Sequence, residues 1–168
     1  MRYRDTRGLL GAILALWAAA AAVAQDVRII VPLDAGWRFR QAPDVSGAQA
    51  PAFDDATWSS ITVPHTWNRI GNEGTQRSPV SNDVQGIGWY RLHFKAPPVA
   101  GSGRYFLQFD AVGTVADVWL NGRYLGNHAG AFSRFRFDAS ASINPSGDNV
   151  LVVKADNSRP QPGARRRM

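Results

Sequence analysis

Short segments in which apolar and polar residues alternate constrain the fold of this sequence more than any other feature. The segment WYRLHFK places Tyr90, Leu92 and Phe94 on one face of an extended chain, and the segment RYFLQFD repeats the pattern. A period of two is typical of strands that bury one face. It predicts strands at Val27–Pro32, Trp37–Arg40, Ser60–Val63, Trp89–Lys95, Arg104–Asp110, Val115–Leu120, Arg123–Leu125, Phe132–Phe137 and Asn149–Asp156.

Turn residues separate these segments. Asn121-Gly122 between two alternating segments is a strong hairpin signal, because both central residues of a type I′ turn need a positive φ. Gly126–Gly130 is predicted to form another bend, and Arg91 is expected to pair with Asp110 across strands. After the N-terminal stretch, no segment shows the sustained i, i+3, i+4 apolar pattern of a helix. The sequence therefore predicts an all-β, antiparallel sandwich or barrel.

The N-terminus has the parts of a secretory signal peptide. Arginines at positions 2, 4 and 7 precede the apolar stretch Leu9–Val23, and Ala22-Val23-Ala24 supplies small residues for cleavage before Gln25. The apolar stretch has 15 residues, whereas a transmembrane helix needs about 20. We therefore predict a signal peptide over residues 1–24, cleavage after Ala24, and a periplasmic or secreted protein with no membrane partner after cleavage.

The net charge of +6 is concentrated at the two ends of the chain. Residues 1–24 carry +2 and Arg165-Arg166-Arg167 carry +3, which leaves +1 for the body between them. A nucleic-acid-binding domain gathers Lys and Arg on one face, so this balanced body gives no support to a nucleic-acid partner. We interpret residues 163–168 as the irregular tail of a truncated chain.

Length and residue types limit the chemistry. The 168 residues fit one domain and are too few for a (β/α)8 barrel, which needs about 250. His65, His93 and His128 are far apart in a chain that has no cysteine, and the spacings of nucleotide-binding and serine-nucleophile motifs do not occur. The sequence assigns no catalytic residue, metal or cofactor.

Aromatic and amide side chains are the remaining binding chemistry. Trp58, Trp67, Trp89 and Trp119 are candidates for stacking on sugar rings, because an indole presents an apolar face, and the alternative is that they pack in the core. The connection Asn68–Ile87 has 20 residues, and connections longer than about 15 residues are usually functional or disordered.

Several motifs occur in an order that resembles a known family. They are LDAGWRF (Leu33–Phe39), ITVPHTWN (Ile61–Asn68), GIGWYR (Gly86–Arg91), the stretch Phe109–Gly130 and DNVLVV (Asp148–Val153). Together they resemble the N-terminal jelly-roll, or sugar-binding, domain of family 2 glycoside hydrolases, with bacterial β-galactosidases as the most similar group. The resemblance implies a galactose-binding-like jelly-roll β-sandwich over residues 25–162.

The resemblance also implies a role. In that family the jelly roll precedes an immunoglobulin-like domain and a catalytic barrel that carries two glutamates, and retaining hydrolysis needs two carboxyl groups. The only glutamate in these 168 residues is Glu73. The implied function is that of a non-catalytic N-terminal domain of a secreted β-galactosidase-like hydrolase, without its immunoglobulin-like and barrel partners. The alternative is a free-standing secreted carbohydrate-binding module.

Binding residues follow from the same resemblance. In some relatives the loop after the VPHTWN-like motif touches the substrate, and it corresponds to Asn68–Ile87 here. Asn82 and Asp83 are the polar residues of this loop best suited to hold sugar hydroxyls, with Trp67 and Asn68 at its start. A second contributing region lies just beyond the last strand. The expected ligand is a β-galactoside-type carbohydrate, with no cofactor.

Overall fold

The computed structural model describes residues 28–67, 85–99, 101 and 103–158. The predicted signal peptide with its cleavage site at Ala24 lies outside these residues, as does the predicted tail at residues 163–168. The chain divides into two compact units, residues 1–31 and residues 32–168. The first unit is described only from Arg28 to Val31, which form neither strand nor helix.

The described part of the second unit contains strands and no helix. The strands are β1 (Trp37–Gln41), β2 (Ser59–Ile61), β3 (Ile87–Lys95), β4 (Phe106–Phe109), β5 (Val115–Leu120), β6 (Arg123–Ala129), β7 (Phe135–Asp138) and β8 (Asp148–Asp156). Six of them form one sheet in the order β2-β1-β3-β8-β5-β6, and β4 and β7 form a second sheet. Every pairing is antiparallel, and the predicted all-β jelly-roll sandwich is confirmed.

The main core lies between the two sheets. Alternate residues of β5, namely Ala116, Val118 and Leu120, are completely buried there, which is the alternation that the sequence predicted. Tyr90 and Leu92 of β3 point to the same core. The remaining buried members are Trp37, Leu107, Ala139, Leu151, Val153 and Ala155.

The Asn-Gly hairpin is confirmed. Asn121 and Gly122 have φ values of 52° and 81° and join β5 to β6 where Leu120 pairs with Arg123. The Asn121 side chain also donates to Asn149 Oδ1 at 2.8 Å and accepts from the Val150 amide at 2.8 Å. These bonds tie the hairpin turn to β8, the central neighbour of β5 in the sheet.

The face of the six-stranded sheet that points away from β4 and β7 is called the outer face here. Part of it is covered by residues 42–58, the covering segment, whose Ala48 and Trp58 pack on Trp89, Val150 and Val152. This segment has turns but no strand or helix, so side chains of the sheet must hold it in place.

Arg91 holds the covering segment. Its guanidinium is fully buried and donates to the carbonyl oxygens of Ala48, Ala50 at 3.2 Å and Phe53 at 3.4 Å, and to Asp55 Oδ2 at 2.9 Å. The planar fork of an arginine suits several acceptors at once. A buried cation is tolerated because this set of acceptors pairs with it.

Asp55 connects this anchor to the exposed side of β3. His93 Nε2 lies 2.9 Å from the same Asp55 oxygen. Burial by itself would raise the pKa of the Asp55 carboxyl, but hydrogen bonds and positive charge from Arg91 and His93 outweigh it and hold that pKa below its usual range. The predicted pair between Arg91 and Asp110 is therefore wrong, and Asp110 instead accepts from Arg134 at 2.8 Å.

Two local predictions are also wrong. The described residues of the segment Val27–Pro32 form no strand, and Ile30 among them is 77% exposed. A segment rich in β-branched residues does not form a strand unless another strand pairs with it. The predicted bend at Gly126–Gly130 is absent, because strand β6 continues through residues 126–129. Gly126 instead lies at an irregularity in the pairing of β5 with β6.

Candidate functional site

The predicted binding loop begins and ends at the same end of the six-stranded sheet, and we call this end of the sheet the loop end. The loop end is made of the residues Phe39–Gln41, Trp67, Gln85–Gly88 and Asp156–Ser158.

Trp67 is fixed against the sheet at the start of the loop. Its ring stacks on Phe39 with centroids 5.8 Å apart and planes at 16°. A Cβ atom at Gly88 would lie only 2.8 Å from Trp67 and 2.9 Å from Phe39. Only glycine allows this close approach, so the GIGWYR motif supplies a gap in β3 that Trp67 fills.

A partly buried polar pair packs against the same aromatic group. His65 Nδ1 and the Tyr90 hydroxyl share a hydrogen bond of 3.0 Å, and Phe39 lies 4.6 Å from His65 and 4.8 Å from Tyr90 between ring centroids. Burial lowers the pKa of His65 and raises the pKa of Tyr90, since it disfavours the charged form of each group. The pair is therefore neutral near neutral pH, which is the state of a structural support.

The far side of the loop is tied to the last strand. The Gly86 amide donates to Asn157 Oδ1 at 2.8 Å, and the Asn157 amide donates to the Gly86 carbonyl at 3.0 Å. Ile87 pairs with Asp156 in the sheet. The two regions that the resemblance named, the loop and the stretch beyond the last strand, therefore meet at the loop end.

A shallow cavity of about 280 Å³ lies at this junction. Its lining combines amide and hydroxyl groups with short apolar side chains, from Gln41, Ala42, Pro43, Gln85, Gly86, Ile87 and Ser158. Amide and hydroxyl groups both donate and accept hydrogen bonds, so the cavity can pair with sugar hydroxyls.

The predicted site residues divide into described and undescribed ones. Asn68, Asn82 and Asp83 lie outside the described residues, so their role stays a prediction. Trp67 is half-buried at the loop end, and carbohydrate binding by this residue also stays a prediction.

The other tryptophan candidates have different environments. Trp58 is 4% exposed and Trp89 is 2% exposed, so both rings pack under or within the covering segment and a sugar cannot reach them. Their indole nitrogens have no hydrogen-bond partner among the described residues. Trp119 is half-buried on the outer face, beside Tyr124, Asp117 and Asn127. The sequence did not predict these three neighbours as binding residues, although the glycine at 126 was a signal of irregular pairing.

Two further findings concern the residues in the described ranges. No three His, Cys, Asp or Glu side chains among them come together as a possible metal site. None of these residues belongs to a helix long and apolar enough to cross a membrane.

Proteins of known family have sequences similar to this chain. The family model described as "Glycosyl hydrolase 2 galactose-binding domain-like" matches residues 81–167. A β-glucuronidase of Formosa agariphila is 32% identical over 73% of this chain and 13% of its own length. A β-galactosidase of Bacteroides ovatus is 32% identical over 79% of this chain and 16% of its own length.

Solved structures give the same result. The crystal structure of a Bacteroides uniformis β-glucuronidase superposes with a TM-score of 0.64 at 29% identity, over 76% of this chain and 14% of that one. A family 2 β-glucuronidase structure superposes with a TM-score of 0.65 at 28% identity, over 79% of this chain and 15% of that one. The chain thus spans about a seventh of these relatives, and it belongs to glycoside hydrolase family 2, as a galactose-binding-like N-terminal domain.

Proposed function

We propose that this chain serves as the non-catalytic N-terminal domain of a secreted family 2 hydrolase of the β-galactosidase and β-glucuronidase group. The observation that carries the proposal is the coverage: 73% of the chain matches only 13% of a β-glucuronidase. In this proposal the rest of such a relative holds the immunoglobulin-like and barrel domains that the resemblance implies. Because the matched relatives are hydrolases, we do not propose a free-standing binding module.

Residue types support the proposed non-catalytic role. Retaining hydrolysis needs two carboxyl groups about 5–5.5 Å apart, and both are glutamates in this family. The only glutamate in the 168 residues is Glu73, in the loop outside the described residues. Chemistry then depends on the barrel domain, and this domain contributes by positioning.

The loop end suits that positioning role. Trp67 fixes one side of the loop through the gap at Gly88, and Asn157 fixes the other side at Gly86. Fixed anchors reduce the entropy that is lost when a loop residue contacts a ligand. In this proposal Asn68, Asn82 and Asp83 reach a β-galactoside-type sugar held at the barrel.

A hydrolysis assay tests the proposal. The purified chain is incubated with an aryl β-galactoside and an aryl β-glucuronide, with a full-length family 2 enzyme as the positive control. We expect no turnover above background. Turnover that Glu73→Gln abolishes would contradict the non-catalytic role, because it would place chemistry in the domain itself.

Export and truncation are tested separately. The mass and N-terminal sequence of the exported protein should show a start at Gln25 and a periplasmic or extracellular location. A cytoplasmic chain that keeps Met1 would contradict export. Genomic DNA downstream should encode the remaining hydrolase in some reading frame, and its absence from all frames would contradict truncation.

A further inference from the structure

The part of the outer face beside the covering segment carries a group of aromatic and polar side chains with no assigned role. They lie on β5, β6 and β8, and we call them the outer patch: Asp117, Trp119, Tyr124, Asn127 and Lys154. Tyr124 is 51% exposed, and the side chains of Asp117 and Lys154 are 27% and 29% exposed. The patch is therefore accessible to solvent.

A β-bulge builds this patch. Asp117 pairs with Asn127 and Val118 with Gly126, but the next pair is Trp119 with Tyr124, so β6 has one extra residue. Residues three apart on a regular strand point to opposite faces. The bulge instead brings Tyr124 and Asn127 to the same face, which is a recognised way in which bulges redirect side chains near binding sites.

Glycine makes the bulge possible. Gly126 has a φ of 153°, and a Cβ atom there would lie 2.5 Å from the Phe137 ring. The extra residue, Leu125, packs against the main core instead. The chain therefore gives up regular pairing in β6 and gains an outer face on which aromatic and polar side chains meet.

The polar members of the patch orient one another. Asp117 Oδ1 accepts from the Tyr124 hydroxyl at 2.8 Å and from Asn127 Nδ2 at 2.9 Å, while Asp117 Oδ2 lies 4.0 Å from Lys154 Nζ. Among the described residues, no hydrogen bond uses Asn127 Oδ1 or closes on Lys154. The amide oxygen of Asn127 is therefore an unused acceptor, and the Lys154 ammonium, which forms only the 4.0 Å ion pair with Asp117, still has N–H groups that can donate to a ligand.

The aromatic members form a continuous backing. Tyr124 and Trp119 have centroids 5.4 Å apart at 53°, and Trp119 stacks on the buried Trp89 at 6.1 Å and 23°. Lys154 Nζ lies 5.8 Å from the Trp89 ring. The rings of Tyr124 and Trp119 are thus held in place by the buried Trp89, and they lose little conformational freedom when they bind a ligand.

We propose that the outer patch binds a neutral pyranoside. The C–H face of a sugar ring would lie on Tyr124 and Trp119, whose rings present apolar surfaces with polar edges, and its hydroxyls would pair with Asn127 and Lys154. The charges of Asp117 and Lys154 balance, which favours a neutral sugar over a uronate.

The proposal uses no residue of the loop end and does not depend on the proposed function, although Lys154 is only two residues from Asp156 on β8. Trp119 is four residues from Val115, which pairs with Asp156 at the loop end, and four residues of strand span about 13 Å. The hydrolysis assay and the binding measurement below can therefore fail independently.

Nuclear magnetic resonance of the uniformly ¹⁵N-labelled full chain tests the proposal. Methyl β-galactopyranoside is titrated in one arm and methyl β-glucuronide in the other. We expect saturable shifts at Asp117, Tyr124, Asn127 and the Trp119 indole, with a millimolar Kd for the neutral sugar and weaker binding of the uronide.

Matched variants locate the site. Tyr124→Ala should weaken binding by about tenfold or more, as expected when an aromatic anchor is truncated. Tyr124→Phe keeps the ring but loses its bond to Asp117, and a loss of about threefold is expected because the ring is less well oriented. Phe106→Ala removes an aromatic side chain that is 45% exposed on β4, and it should leave Kd unchanged.

Several results would overturn the proposal. They are the absence of shifts at the patch at saturating sugar, equal losses in Tyr124→Ala and Phe106→Ala, and tighter binding of the uronide than of the neutral sugar. Concentration-dependent shifts at the patch without sugar would show instead that it binds a second copy of the chain.

Discussion

The two parts of the outer face use similar side chains in opposite ways. On β3, Arg91 and the aromatic rings beside it are sealed under the covering segment, and four of the five N–H groups of the guanidinium donate inside the protein. On β5 and β6, Asp117 and Tyr124 are bonded to each other but stay accessible. Burial of the polar group, more than its type, separates a structural anchor from a surface that a ligand can reach.

The largest expected effect is at the sealed part. Arg91→Leu leaves three backbone carbonyls without their donor and leaves Asp55 with His93 alone, and removal of one member of a buried ion pair costs about 3–5 kcal/mol. Arg91→Lys should recover only part of this loss, because a lysine lacks the planar fork. Urea denaturation measures both, and a loss below about 1 kcal/mol for Arg91→Leu would show that the covering segment does not depend on Arg91.

The next effect tests how the open part is built. Gly126→Ala should destabilise the chain by about 1–3 kcal/mol, because its methyl group would overlap the Phe137 ring. Gly86→Ala is the control, since Gly86 also has a φ that favours glycine, of 136°, but the nearest atom to its Cβ position is 4.0 Å away, at Gln41 Nε2. Equal losses of free energy in the two variants would mean that backbone strain, rather than the contact with Phe137, requires glycine in the bulge.

A pH dependence belongs to the sealed part. The pKa of Asp55 is lowered in the folded state, so the unfolded chain binds a proton more readily. The stability from this group is therefore present above the pKa of an unfolded Asp, about 3.9, and is lost as the pH falls through the lower folded value. Denaturation midpoints from pH 6 downward should decrease more steeply for the natural chain than for Asp55→Asn, and parallel curves would contradict the coupling.

The smallest effect is expected at the open part. Lys154→Met removes an ammonium that lies 4.0 Å from Asp117, and partly exposed pairs of this kind contribute less than about 1 kcal/mol. The free energy of unfolding should therefore change little, and it should respond little to added salt. A loss as large as that of Arg91→Leu would erase the distinction between the two parts of the face.

Local patterns account for what the sequence could predict. The bounds of β5 and its buried alternation match, and so does the Asn121-Gly122 turn, because each depends on residues near one another in the chain. Arg91 and Asp55 are 36 residues apart, and nothing in either segment indicates that they pair. The strand predicted at Val27–Pro32 shows the same limit, since strand propensity cannot supply a partner strand.

The candidate sites divide in the same way. Trp67 could be predicted at a loop boundary from the VPHTWN-like motif, but its packing into the gap at Gly88 depends on the fold. The outer patch was not predictable from alternation, because Tyr124 and Asn127 are three residues apart and an ideal strand would separate them. Only the bulge at Gly126 brings them together.

Hydrogen exchange of the natural chain tests the contrast between the two parts most directly. The covering segment has no regular secondary structure, yet its amides at Ala48, Phe53 and Trp58 donate to Val45, Ala50 and Asp55 at 3.1, 3.1 and 3.0 Å. We expect these amides to exchange as slowly as those of β3 and β8, because Arg91 holds the segment on the sheet. Exchange at the rate of an open loop would contradict a sealed outer face.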